Sequence, residues 1–131
     1  MPVEFRHSTE MASEIPEFTL RRRYIELIKS GEKTTEGRIN SGGFRKLNEG
    51  DRVIFFDGKE QSVNVLCEII GIGRYKSFTE MLAKEGFKTM IPDAKSLDEA
   101  VSIYNRIPSY PERAKKNGVL ALRIKVVDSE K

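Results

Sequence analysis

The sequence predicts an α+β fold, and three patterns carry that reading. Extended, β-former-rich segments lie near both ends of the chain, a hairpin pattern occupies the middle, and helical segments are inserted without the regular βαβ alternation of a parallel α/β fold. Periodicity alone leaves open whether the sheet closes into a barrel. The 131 residues suit one hydrophobic core, which at this size buries roughly two thirds of the surface of the unfolded chain. Hydrophobic residues at 38% and charged residues at 33% argue against disorder over the whole length.

Residues 1–14 are polar and acidic without sustained period, and read as a flexible leader that includes His7. Residues 15–128 are expected to form a single domain. Glu17-Phe18-Thr19-Leu20 predicts a short strand running into a helix with Leu20, Tyr24, Leu27 and Ile28 at helical spacing. Gly31 stops that helix, because glycine readily takes the left-handed conformation of a helix C-terminus, and residues 33–39 are rich in β-formers. Ser41-Gly42-Gly43 predicts a loop, and Asn48-Glu49-Gly50-Asp51 a turn.

Arg52 to Phe56 reads as a buried strand, Asp57-Gly58 as a hairpin turn and Ser62 to Gly71 as the returning strand. Gly71 and Gly73 mark a bend, and their Gly-x-Gly spacing lacks the rest of a dinucleotide-binding fingerprint. Ser77-Phe78-Thr79-Glu80 and Ser96-Leu97-Asp98-Glu99 are capping boxes, each opening a helix. The first ends at Gly86 and the second near Pro108, with residues 87–95 as a connecting loop. Residues 118–127 predict a terminal strand.

No apolar run reaches the ~20 residues needed to cross a bilayer, and the N-terminus lacks an apolar signal core, so a cytoplasmic protein without membrane attachment is expected. Cys67 is the only cysteine and lies in a strand pattern, which predicts a buried thiol. One His and one Cys, with carboxylates lacking ligand spacing, give no metal site, and no Walker pattern or other cofactor motif is present. Positive charge concentrates in residues 21–52, where nine Lys and Arg face five Asp and Glu. Such a segment suits the phosphate contacts of a nucleic acid, and equally a solvated basic face.

Gly31-Glu32-Lys33-Thr34-Thr35-Glu36-Gly37-Arg38 resembles the ASCH signature G-x-K-x-x-E-x-R, placed after a first helix. Gly50-Asp51 before a strand, Tyr75-x-Ser77-Phe78 opening a helix and a terminal Gly118-Val119 strand follow in family-like order, so the resemblance spans about residues 17–127. It implies a small mixed β-barrel of PUA-like type with inserted helices and a side cleft, in which the signature residues face RNA or a modified nucleoside. Some small relatives of this fold are amidohydrolases that deacetylate N4-acetylcytidine with a Lys, a Thr and a Glu. Lys33 resembles their Lys, whereas Glu36 occupies the place of their Thr. Ribonuclease activity and coactivator-type RNA binding are further readings implied by the resemblance.

Strand alternation puts Glu36 and Arg38 on one face, with Lys33 at the turn entering the strand. Two cations and a carboxylate suit a phosphate or a base edge. In a hydrolytic reading, Glu36 activates water and Lys33 stabilises an oxyanion, with Glu85 or Asp93 as a second carboxylate. Arg45 and Lys46, after the glycine-rich loop, are candidate phosphate contacts, and Tyr75 and Tyr110 candidate stacking platforms. Ser77, two residues after Tyr75, is a further candidate ligand contact. Arg21 and Arg22, with Arg23, open a helix whose dipole disfavours cations, which suggests a phosphate partner.

Overall fold

The computed structural model describes residues 14–127, so nearly all of the 1–14 leader, His7 included, lies outside the described residues. Five strands form one sheet: β1 (Glu17–Thr19), β2 (Thr35–Ile39), β3 (Arg52–Phe56), β4 (Asn64–Tyr75) and β5 (Val119–Val126). Their order is β1-β3-β4-β5-β2, antiparallel except for the parallel β1–β3 pair. The sheet curls into a half-barrel with β1 and β2 as its edges. Arg38, on β2, donates from Nη2 to the Thr19 carbonyl of β1 at 2.7 Å, so a side chain spans the gap between them.

β5 explains why a continuous apolar run sits in this sheet. Its Val119 and Ala121 join one core, and its Leu120, Leu122 and Ile124 join another, so both faces of the strand are covered. The second core is closed by α1 (Arg22–Ser30), whose Ile25 and Ile28 pack with Val53, Phe55 and Ile69. Gly31 caps α1 with φ 89°, donating to the Ile28 carbonyl. Cys67 belongs to this core, and burial pushes its thiol up to about 12.

The first core lies under α3 (Phe78–Glu85) and α5 (Leu97–Asn105). Both capping boxes form: Ser77 Oγ accepts from the Glu80 amide, and Ser96 Oγ from the Glu99 amide, each at 3.1 Å.

Several local expectations need correction. Residues 42–45 form a single helical turn, α2 (Gly42–Arg45), which places Phe44 in a stack on Phe18 with centroids 4.1 Å apart. Asp57-Gly58 is not the hairpin turn. The connection runs from Asp57 to Val63 and tightens where the Val63 amide donates to the Glu60 carbonyl. β4 continues to Tyr75, with a register shift between Ile69 and Gly71. Residues 87–90 form α4 (Phe87–Met90), which buries Met90. Finally, α6 (Tyr110–Asn117) precedes β5 without having been expected, although Pro111 near its start, Glu112 in its first turn and Lys115 and Lys116 in its last are ordinary helix signals.

Candidate functional site

A cleft of about 720 Å³ opens beside the gap between the two sheet edges, within the range of small-ligand sites. β2 supplies its floor with Glu36, Gly37 and Arg38, α1 supplies Tyr24, and α5 and the segment after it supply an apolar wall of Ile103, Ile107 and Tyr110. Lys33 enters from the turn before β2. Close packing beneath the floor requires glycine at 37. A Cβ there would stand 2.7 Å from Met81 Cε and 2.8 Å from the Tyr104 hydroxyl.

Lys33 is only 2% exposed, and its ammonium meets three acceptors: the Met90 carbonyl at 2.6 Å, the Thr35 carbonyl at 2.9 Å and Glu36 Oε1 at 3.0 Å. An ammonium has three N–H donors, so this environment satisfies it in full. Burial lowers the Lys33 pKa, and Glu36 opposes that effect. Glu36 is 5% exposed, and its Oε2 accepts from Arg38 Nε at 2.6 Å. Burial alone would raise its pKa, but Lys33 and Arg38 together outweigh it and hold the carboxyl below the ordinary range.

Arg38 is the open end of this chain of charges. Its guanidinium lies over Phe44 at 4.9 Å and over Phe55 at 5.6 Å, which gives the α2 turn a purpose. Two of its five N–H donors go to Glu36 and Thr19, leaving three without a protein acceptor among the described residues.

The model of the ASCH domain family matches residues 18–128. The chain belongs to the ASCH domain family. Among solved structures, that of the hypothetical protein PH0355 is 40% identical, with a TM-score of 0.76, over 85% of this chain and 97% of the other. Protein PF0455 from Pyrococcus furiosus is 34% identical, with a TM-score of 0.70, over 86% of this chain and 97% of the other. ASCH from Zymomonas mobilis is 13% identical with a TM-score of 0.57, covering 87% of this chain and 67% of that one, a likeness of fold. No curated protein matches the chain. The half-barrel with inserted helices and a side cleft is the α+β architecture that the resemblance implied.

In this ASCH domain Lys33, Glu36, Arg38, Tyr110 and Arg21 line one cleft. Arg21 stands apart from its neighbours, since Arg22 pairs with Glu26 on its own helix and Arg23 pairs with Asp93. The remaining sequence candidates lie elsewhere. Arg45, outside the cleft lining, donates to the Asn40 carbonyl at 2.7 Å, and Lys46 is exposed at the end of α2. Ser77 uses its hydroxyl as a helix cap.

Tyr75 and Glu85 form a second cluster with Arg123. The Tyr75 hydroxyl donates to Glu85 Oε2 at 2.5 Å, and Arg123 grips both carboxylate oxygens at 2.9 and 2.7 Å. The carboxylates that line the cleft are Glu36 and Asp57, not Glu85 or Asp93. Sequence reasoning missed Asp57, Lys59 and Arg106, which reach the cleft from the β3–β4 connection and the end of α5. No local pattern marks them, because only the fold brings those connections together. Among the described residues no group of His, Cys, Asp or Glu could hold a metal ion, and no helix is long and apolar enough to cross a membrane.

Proposed function

We propose that this ASCH domain binds RNA or a modified nucleoside in the cleft, with Glu36 and Arg38 reading a base edge. The observation that carries this reading is the saturation of Lys33. Two of its donors tie the ammonium to the Thr35 and Met90 carbonyls and the third holds Glu36 Oε1 from behind, so the carboxylate presents its remaining lone pairs, and Arg38 its three spare donors, at a fixed spacing. An acceptor beside a donor complements a base edge that carries an amino group beside a carbonyl. Tyr24, Tyr110 and the apolar wall suit the flat faces of such a ligand.

Deacylation of an N4-acylated cytidine, or RNA cleavage, is less well supported. Lys33 would have to leave a backbone carbonyl to touch a reacting atom, and Glu85, the second carboxylate considered, is gripped by Arg123.

Calorimetry with cytidine, N4-acetylcytidine, the other common ribonucleosides and a short single-stranded RNA tests the proposal. At least one probe should bind, and Arg38→Lys, which keeps the charge but loses the planar fork, should weaken it about tenfold. Binding indifferent to Arg38→Lys would sink the base-edge reading. Steady release of acetate from N4-acetylcytidine, abolished by Lys33→Ala, would replace it with the hydrolase.

A further inference from the structure

The cleft holds more positive charge than its floor accounts for. Five cationic side chains line it, Arg21, Lys33, Arg38, Lys59 and Arg106, against two carboxylates, Glu36 and Asp57. That excess of three equals the formal charge of the whole chain, +3, so the rest of the sequence is neutral on balance. Lys33 and Arg38 are committed to Glu36. Arg21, Lys59 and Arg106 are exposed and make no ion pair or side-chain hydrogen bond among the described residues, and neither does Asp57.

This arrangement is not explained by a generally basic surface. Arg22 and Arg23, adjacent to Arg21, each find a carboxylate, whereas the arginine that turns to the cleft finds none. The three cations come from three different places in the chain, the start of α1, the β3–β4 connection and the end of α5, so helix periodicity does not group them. Cations gathered at one concavity repel one another and raise the local concentration of anions.

We infer that the ligand of this cleft carries a phosphate, held at the rim by Arg21, Lys59 and Arg106 while the base end meets Glu36 and Arg38. This rests on the binding reading above and narrows it, because an unphosphorylated nucleoside leaves the rim cations unused. A phosphate monoester and an RNA phosphodiester offer the same oxygens, and Lys and Arg recognise both.

The test compares the common ribonucleosides, their 5′-monophosphates, inorganic phosphate and a single-stranded RNA pentamer by calorimetry at ~50 and ~200 mM salt, where phosphate contacts weaken as salt rises. At least one monophosphate should bind ten or more times tighter than its own nucleoside. The triple variant Arg21→Gln, Lys59→Gln, Arg106→Gln should remove that advantage and leave nucleoside affinity unchanged, and these exposed positions should not affect folding. A pentamer bound more tightly than the monophosphates identifies the phosphodiester as the ligand chemistry, and the reverse identifies the monoester.

Equal affinity for nucleoside and monophosphate, or a preference that survives the triple variant, overturns the phosphate inference while the base-edge reading stands. If inorganic phosphate binds as tightly as any monophosphate and Arg38→Lys changes nothing, the base-edge reading falls and the rim site remains. No binding by any probe at millimolar concentration overturns both.

Discussion

Two largely buried carboxylates in this domain are each held by arginine, Glu36 by Arg38 and Glu85 by Arg123, yet their surroundings differ. Glu36 shares its charge with a second cation, Lys33, and all three groups are largely buried at the floor of a cleft. Glu85 is met by one bidentate arginine, whose side chain is 43% exposed, and by the Tyr75 hydroxyl. Arg123 stands over Gly71 and Gly73, and a Cβ on Gly73 would come within 2.7 Å of Glu85 Oε2. The same chemistry thus serves two ends. Where a bidentate guanidinium and a tyrosine hydroxyl satisfy the carboxylate, they clamp a helix end to the sheet. Where a buried lysine shares the load, donors and acceptors are left over for a ligand.

Removing the carboxylates separates the two most strongly. Glu36→Ala leaves Lys33 buried without its counter-ion and should cost about 3–5 kcal/mol in urea unfolding, whereas Glu85→Ala frees an arginine that can turn to water and should cost about 1 kcal/mol or less. Equal losses would break the distinction. The glycines give a weaker contrast of the same sign. Gly37→Ala forces a methyl against Met81 and Tyr104 within the core and should cost about 1–3 kcal/mol, read from the same unfolding curves. Gly73→Ala presses on groups that include the half-exposed Arg123, so its cost should be smaller. The reverse order would mean that the Glu85 clamp is the stiffer site.

Ligand binding sharpens the comparison next. The tenfold loss expected for Arg38→Lys corresponds to about 1.4 kcal/mol, while Arg123→Lys, outside the cleft, should leave affinity within about twofold. Acid titration gives the finest test. Interaction with cations holds both carboxyls below the ordinary glutamate value of 4.5, so each contributes stability that is complete above that value and is lost as pH falls through the lower, folded-state value. Urea midpoints between pH 6 and 3 should therefore fall for the wild type and fall less for Glu36→Gln. Glu85→Gln should flatten the curve less than Glu36→Gln, since Glu85 has one cationic partner, itself 43% exposed, where Glu36 has two largely buried ones. An unchanged slope in Glu36→Gln would mean that Glu36 is not the carboxylate that acid neutralises.

Much of the fold was legible because its signals are local. Gly31 as a helix stop, the Ser77 and Ser96 capping boxes and the β3 segment each depend on residues within one turn or one strand. The errors arise where contacts beyond the segment override its local signals. Ser41-Gly42-Gly43 has the composition of a loop and becomes a helical turn because Phe44 gains a stack on Phe18. Asp57-Gly58 is a good two-residue turn in isolation, but the register of β3 with β4 demands a wider connection.

The sequence by itself determined the α+β class, the order of the main elements and the Lys33, Glu36 and Arg38 constellation, because strand alternation and a contiguous motif are properties of neighbouring residues. Only the tertiary structure decided what the constellation does with its charges. Lys33 finds the Met90 carbonyl 57 residues away, Arg38 finds Thr19, and Lys59 and Arg106 arrive at the cleft from separate connections. Tyr75 and Glu85, expected as a stacking platform and a second carboxylate of the cleft, are drawn instead to Arg123. A hydrogen bond acts over about 3 Å of space whatever the separation in sequence, so which donors stay free for a ligand is settled only when the chain has closed on itself.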